Sequence, residues 1–222
     1  MHPKRAFAAA AATLCWFALA AQLGLALQTA PATPAGIAQA IFAFLSFFTN
    51  LTNLLVAIFL TASALGREEA CRLTRPPGAT ALLAYLAVMS AVYAALLRDL
   101  WNPTGLLLLA EVIEHYVVPP VYLAYWLAYV PKGRLRWKHA CAWLLYPAAY
   151  GALIAVRGAI TGRYPYPFLD AAALGYARTL LNLVPLALLF FAVGLAFIAL
   201  DRVLARRCKG ASRTTAGHQS RW

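Results

Sequence analysis

What most constrains this chain is a succession of apolar blocks, each close to the length a helix needs to cross the ~30 Å hydrocarbon core of a bilayer. Six such spans are expected, over about residues 6–27, 37–64, 79–97, 105–129, 139–156 and 171–200. A transmembrane barrel would instead show alternating segments of about ten residues. Of the 222 residues 63% are hydrophobic and 12% charged, against about 25% charged in a soluble domain. The expected fold class is therefore all-α, a polytopic membrane protein built as a six-transmembrane-helix bundle over residues 1–208. A basic, disordered tail is expected over 209–222. The first apolar run is longer than the core of a secretory signal, so it is expected to be retained as a helix.

Charge sets the expected orientation. The net charge is +12, which in a soluble protein would point to nucleic acid. Here the basic residues sit in short loops and a tail. Lys4 and Arg5, the second and fourth loops and the tail hold 15 of the 19 Lys and Arg residues. The loops on the other side hold Arg98, Arg157 and Arg163, and Arg178 lies just inside the last span. That asymmetry places both termini in the cytoplasm by the positive-inside rule, with the bilayer rather than nucleic acid as the partner. A bacterial inner membrane is the expected location. The four cysteines are isolated and show neither zinc spacing nor a disulfide framework. A bis-histidine haem site is not expected, because His115 is deep and His139 lies at the cytoplasmic end of its span. No cofactor and no metal are expected.

Two polar clusters interrupt the apolar blocks. One is Phe47-Phe48-Thr49-Asn50-Leu51-Thr52-Asn53; the other is Glu111-Val112-Ile113-Glu114-His115, followed by Pro119-Pro120. Polar and ionisable groups in a membrane interior are costly unless they find partners. At 1.5 Å per residue, Thr49 and His115 are each expected roughly 15–18 Å below the non-cytoplasmic surface, with Asn182 at the same level. Ser46, Thr49, Asn50, Thr52 and Asn53 share a helix face, as do Glu111, Glu114 and His115, and as do Arg178 and Asn182. Three polar stripes at one depth predict a buried chamber. Pro119 removes the donor for the His115 carbonyl, so the helix is expected to kink or open there.

A hydroxyl beside a histidine, with a third group holding the ring, is the arrangement of nucleophilic catalysis. Thr49 is the candidate nucleophile, His115 the base, and Glu111 or Glu114 the group that orients it. Asn50 or Asn53 amides would donate to a developing oxyanion, and Arg178 would compensate a buried carboxylate. The substrate suited to this depth is a lipid ester. Other readings stand beside this one. Thr49 would bond back to its own i−4 carbonyl, Asn50, Asn53 and Asn182 would hold helices together, and Glu111 and His115 would be a structural pair. The whole would then be a structural or partner-binding protein. A transporter or proton-coupled small-ligand binder would use the same carboxylates and histidine.

The Phe47–Leu55 run, the segment Glu114-His115-Tyr116-Val117-Val118-Pro119, and Tyr164-Pro165-Tyr166-Pro167-Phe168-Leu169-Asp170 followed by Gly175-Tyr176 resemble the Pr6Pr family of six-helix bacterial membrane proteins. The resemblance covers almost the whole chain. That family is similar, more distantly, to the androgen-induced FAR-17a/AIG-type proteins. The resemblance implies an intramembrane threonine hydrolase acting on fatty acid esters of hydroxy fatty acids, with Thr49 and His115 as its threonine and histidine. The two asparagines after Thr49 depart from the eukaryotic pattern.

Overall fold

The computed structural model describes residues 2–67 and 72–219, with side chains described at 2–67 and 73–207. It is all-helical among the described residues. Helix α1 is Pro3–Gln28 and α2 is Pro34–Leu45. Helix α3 is Phe48–Ala64, and α4 is Pro76–Val92, extended by a π-helical turn over Tyr93–Leu97. Helix α5, Gly105–Val112, passes through a second π-helical turn, Ile113–Val117, into α6, Val118–Tyr129. Helices α7, Lys138–Trp143, and α8, Leu145–Thr161, follow one another almost without a break. A one-turn helix α9, Ala171–Leu174, precedes α10, Tyr176–Gln219. The Glu68–Cys71 stretch of the charged second loop lies outside the described residues, as do residues 220–222 at the end of the expected tail. The backbone of α10 runs on to Gln219.

Among the described residues five helices are long and apolar enough to cross a membrane: Pro3–Gln28, Pro76–Leu97, Gly105–Tyr129, Lys138–Thr161 and Tyr176–Arg207. The outer surface suits lipid. Ile160, Leu180, Leu181 and Leu188 are 62% to 79% exposed, an apolar display that water would not tolerate as a continuous belt. The apolar helices are compatible with an integral membrane protein.

The second expected span is where structure and expectation part. Instead of one helix over 37–64, α2 and α3 meet at an angle of 82°, and the pair makes a sixth span only if taken as one broken element. The break falls at Ser46 and Phe47, and Phe47 is extended, with φ −88° and ψ 129°. A break inside an apolar bundle frees backbone groups that must find other partners. Here side chains supply them. The Asn50 amide donates to the Phe44 carbonyl at 2.9 Å. The Tyr150 hydroxyl donates to the Ser46 carbonyl at 2.8 Å, and the Phe48 N–H donates to the Tyr166 hydroxyl at 3.0 Å. The Ser46 hydroxyl bonds back to the Phe42 carbonyl at 2.6 Å, which closes the end of α2. The start of α2 is held by Thr33, which accepts from the Gly36 N–H at 3.1 Å. Only glycine fits at position 36, because an added Cβ would lie 2.4 Å from the Pro31 carbonyl oxygen.

The core is densest toward the end of the bundle that carries the N-terminus. There Phe59 packs edge-on against Tyr122 and Tyr125, and Trp126 donates from its indole to Thr80 at 2.8 Å. The Ser63 and Tyr125 hydroxyls share a hydrogen bond. Buried Asp201, near the end of the described α10 side chains, accepts from the Gly133 N–H at 2.9 Å, which ties the fourth loop to the last helix.

Candidate functional site

The bend puts Thr49 in the first turn of α3, where side chains and N–H groups face the break instead of sitting mid-helix. Counted from the far ends of their helices, Thr49 and His115 lie at similar heights, about 22 Å and about 21 Å along. Their levels thus agree for a different reason from the one expected. The length of α2 runs across the bundle and contributes little to the depth of Thr49.

Across the break stands His115, inside the π-helical turn Ile113–Val117. Pro119 denies the His115 carbonyl its usual donor, and the turn widens instead of kinking. Such widened turns recur at functional sites. The His115 Nε2 is 3.3 Å from the Thr49 Oγ1. Its Nδ1 is 3.1 Å from the Glu111 carbonyl oxygen and 3.4 Å from the Glu111 carboxylate. Both partners at Nδ1 are acceptors, so the proton belongs there, and Nε2 turns its lone pair toward the Thr49 hydroxyl. Thr49 therefore does not take the i−4 back-bond that isolated threonines in helices favour.

Three groups outside the two expected clusters complete the site. Tyr93, in the other π-helical turn, stacks on the His115 ring with centroids 3.7 Å apart and planes 20° apart. Its hydroxyl also interacts with the Glu111 carboxylate. Gln22 of α1 reaches across to donate to Glu114 at 2.7 Å and to Glu111 at 3.5 Å. Tyr166, from the loop between α8 and α9, takes the Phe48 N–H and also interacts with the Thr49 side chain and backbone. Burial pushes the Tyr166 phenol above its ordinary value, so it stays protonated and keeps its own O–H to donate. Gln22 was visible as one of two polar interruptions of the first span. Tyr93 and Tyr166 carried no polar signal, since tyrosine suits an apolar helix or an interface equally well.

The remaining expected residues divide. Asn50 lines the chamber, but its amide is committed to Phe44. The Asn53 amide donates to the Thr49 carbonyl at 3.1 Å and contacts the Met89 sulfur at 3.7 Å. The Asn50 amide thus supports the break, and the Asn53 amide supports its own helix and α4. Glu114 is fully buried behind Glu111, and its Oε1 has no hydrogen-bond partner among the described residues. The third expected stripe is not at the site. The Asn182 amide donates to the Phe168 carbonyl at 2.9 Å, and Arg178 is exposed. Gly175, with φ 76°, separates the short α9 from the last helix, which starts at Tyr176.

The site opens into a cavity of about 1000 Å³ whose wall includes Thr49, Glu111 and His115. Arg157, Arg163 and Trp101 also line it, at the end of the bundle opposite the N-terminus. A second cavity, of about 430 Å³, lies between α4, α8 and α10. Thr49, Tyr93, Leu97 and Tyr166 line both. Among the described residues no group of His, Cys, Asp and Glu side chains is arranged to hold a metal ion. Comparisons with known protein families, with curated proteins and with solved structures give no match.

Proposed function

We propose that this chain is an intramembrane hydrolase of lipid acyl esters, with Thr49 as nucleophile and His115 as general base. One observation carries the reading: the Thr49 hydroxyl lies 3.3 Å from Nε2 of a histidine whose Nδ1 is held by Glu111. That spacing is slightly beyond the 2.6–3.2 Å of a working general base and typical of a site without substrate. The resemblance to the Pr6Pr family and the FAR-17a/AIG-type enzymes belongs to the same proposal, as do an inner-membrane location and cytoplasmic termini.

The chemistry follows from the geometry. His115 Nε2 takes the Thr49 proton as Oγ1 bonds to the ester carbonyl carbon. The Glu111 carboxyl and backbone carbonyl beside Nδ1 hold the ring and favour the imidazolium that forms. The bond from the carbonyl carbon to the alcohol oxygen then breaks, and Nε2 returns the proton to that oxygen. Water repeats the sequence on the threonyl ester and releases the fatty acid. Charge on the carbonyl oxygen is met by the Asn50 N–H in the first turn of α3, which has no backbone carbonyl partner among the described residues, and by the Tyr166 O–H.

A fluorophosphonate probe tests this. Wild-type protein in detergent or nanodiscs is expected to label covalently, and Thr49→Ala and His115→Ala are each expected to lose labelling while eluting as folded protein. Wild-type protein that neither labels nor cleaves any acyl ester overturns the reading. The buried, singly bonded Glu114 favours a second reading, proton-coupled transport through the same chamber. Uptake into proteoliposomes that survives Thr49→Ala and fails in Glu111→Gln would favour that instead.

A further inference from the structure

We infer that the smaller cavity is the acyl-chain site and that the substrate ester lies across Thr49 with one arm in each cavity. The inference rests on the hydrolase reading and adds which part of the substrate goes where. The two cavities meet at a threshold made by Thr49, Tyr93, Leu97 and Tyr166, so an ester carbonyl at the Thr49 hydroxyl has one substituent on each side. The cavities differ in chemistry. The larger has Arg157, Arg163, Gln28 and Gln39 in its wall, and it accepts the polar, alcohol-bearing arm. The smaller is walled by Phe48, Val88, Met89, Leu183, Leu186 and Phe190, and among the described residues no charged side chain lines it. A hydrocarbon chain is the arm that such a wall suits.

The smaller cavity also has a way in. Ala148 and Ala152 of α8 and Ala187 of α10 line it and are themselves exposed, on the same two helices whose Val156, Ile160 and Leu188 face outward. Small side chains there leave a gap between the helices through which an acyl chain reaches Thr49 from the bilayer. Gly151 stands inside the gap. A Cβ at Gly151 would meet only the Leu183 side chain, at 3.9 Å. A side chain can therefore start at position 151 without its Cβ striking backbone, and position 151 lines the cavity.

The test uses 4-nitrophenyl palmitate and 4-nitrophenyl butyrate with the full-length protein. In Gly151→Leu the ratio of kcat/KM for palmitate to that for butyrate is expected to fall about tenfold or more, since even one methylene's worth of lost space costs that much in a tight pocket. Ala187→Trp, from the opposite wall, is expected to do the same and guards against one variant failing to fold. Ala40→Phe, which fills the larger cavity, is expected to lower both rates without moving the ratio. An unchanged ratio in folded Gly151→Leu and Ala187→Trp, or a shift seen only in Ala40→Phe, overturns the assignment.

A second readout does not depend on turnover. Palmitic acid carrying a terminal diazirine, photolysed with Thr49→Ala protein, is expected to attach to α8 and α10 between residues 144–152 and 183–190. Attachment to α2 and α5 instead overturns the inference. Attachment to α8 and α10 by a protein that cleaves no ester removes the hydrolase reading and leaves the acyl site standing.

Discussion

The two ends of the bundle are built on different principles. Toward the N-terminal end the helices are regular, and Phe59, Tyr122, Tyr125 and Trp126 are almost completely buried. Interhelical hydrogen bonds there run between side chains of intact helices, or from a side chain to a carbonyl in the first turn of a helix, as from Tyr122 to Ala79 at 3.1 Å. Toward the other end three helices depart from α-geometry. The second span breaks, and α4 and α5 each run into a π-helical turn. Both cavities lie on that side of the aromatic core. A bilayer tolerates irregular backbone only where protein groups satisfy it or where it lines a cavity. Here both conditions hold at once: the side chains that repair the break also line, or pack beside, the chambers. The regular end holds the helices apart at fixed spacing, and the irregular end uses that spacing.

The largest effect that separates the ends is on stability. Phe59→Ala removes a buried ring that fills the space beside Tyr122 and Tyr125, and should cost about 3 kcal/mol. Thermal unfolding in detergent is expected to show the loss, while the fraction of folded molecules that label with fluorophosphonate is unchanged. Lost labelling in the folded fraction would mean that the two ends are coupled and the division drawn here is wrong.

Next is Tyr166→Phe. The Phe48 N–H loses its acceptor at a buried position, which costs about 1–3 kcal/mol. The expected consequence for the reaction is larger than for the fold. Losing one donor to the carbonyl oxygen slows acyl transfer by about a hundredfold. A variant that melts early but reacts at the wild-type rate would reduce Tyr166 to a repair of the break.

How much of this was legible from residues alone follows the same division. Apolar blocks and their lengths made the helical class readable, because hydrocarbon thickness admits few alternatives. Glu111, Glu114 and His115 stood out because ionisable groups within an apolar block have few innocent explanations. The break at Ser46 and Phe47 was not readable. Phe-Leu-Ser-Phe-Phe-Thr-Asn holds neither glycine nor proline, and the bend exists because Tyr150 and Tyr166, more than a hundred residues away, take up the freed groups. On a straight helix the polar run forms one stripe. In the structure Thr49 faces the cavities, Thr52 bonds to Tyr146 at 3.2 Å, and Asn53 turns back on its own helix. The depth expected for Asn182 and Arg178 assumes one helix from Ala171, whereas the long last helix begins at Tyr176, which leaves Asn182 beside the Phe168 loop.

A smaller effect is expected at Gly158, which has no catalytic contact. A Cβ there would fall 2.0 Å from the Tyr164 ring, so Gly158→Ala must push the ring off α8. The cost should be about 1 kcal/mol, at the low end for overpacking, because a side chain rather than backbone has to move. The loop that bears Tyr164 also bears Tyr166, so labelling is expected to slow several-fold. Gly151→Ala, where the added Cβ meets ordinary contact, is the matched substitution on the same helix and is expected to raise stability by up to about 1 kcal/mol, since alanine is the better helix former. Equal behaviour of the two alanines in a melting and labelling comparison would remove the loop's position from the argument.

The smallest effect on stability distinguishes neighbours on one helix. Thr49→Val and Thr52→Val make the same change of shape and delete the same hydroxyl, three residues apart. Thr52 gives up a bond to the Tyr146 hydroxyl, and Thr49 gives up a contact with the His115 ring. Side-chain hydrogen bonds between membrane helices average about 0.6 kcal/mol, so both variants should melt within a few degrees of wild type and of each other. Their chemistry should differ completely. Thr52→Val is expected to label at the wild-type rate, because its hydroxyl points between α3 and α8 and meets no base. Thr49→Val is expected not to label at all. If both variants label, the nucleophile is another group and the hydroxyl at Thr49 is one more repair of the broken span.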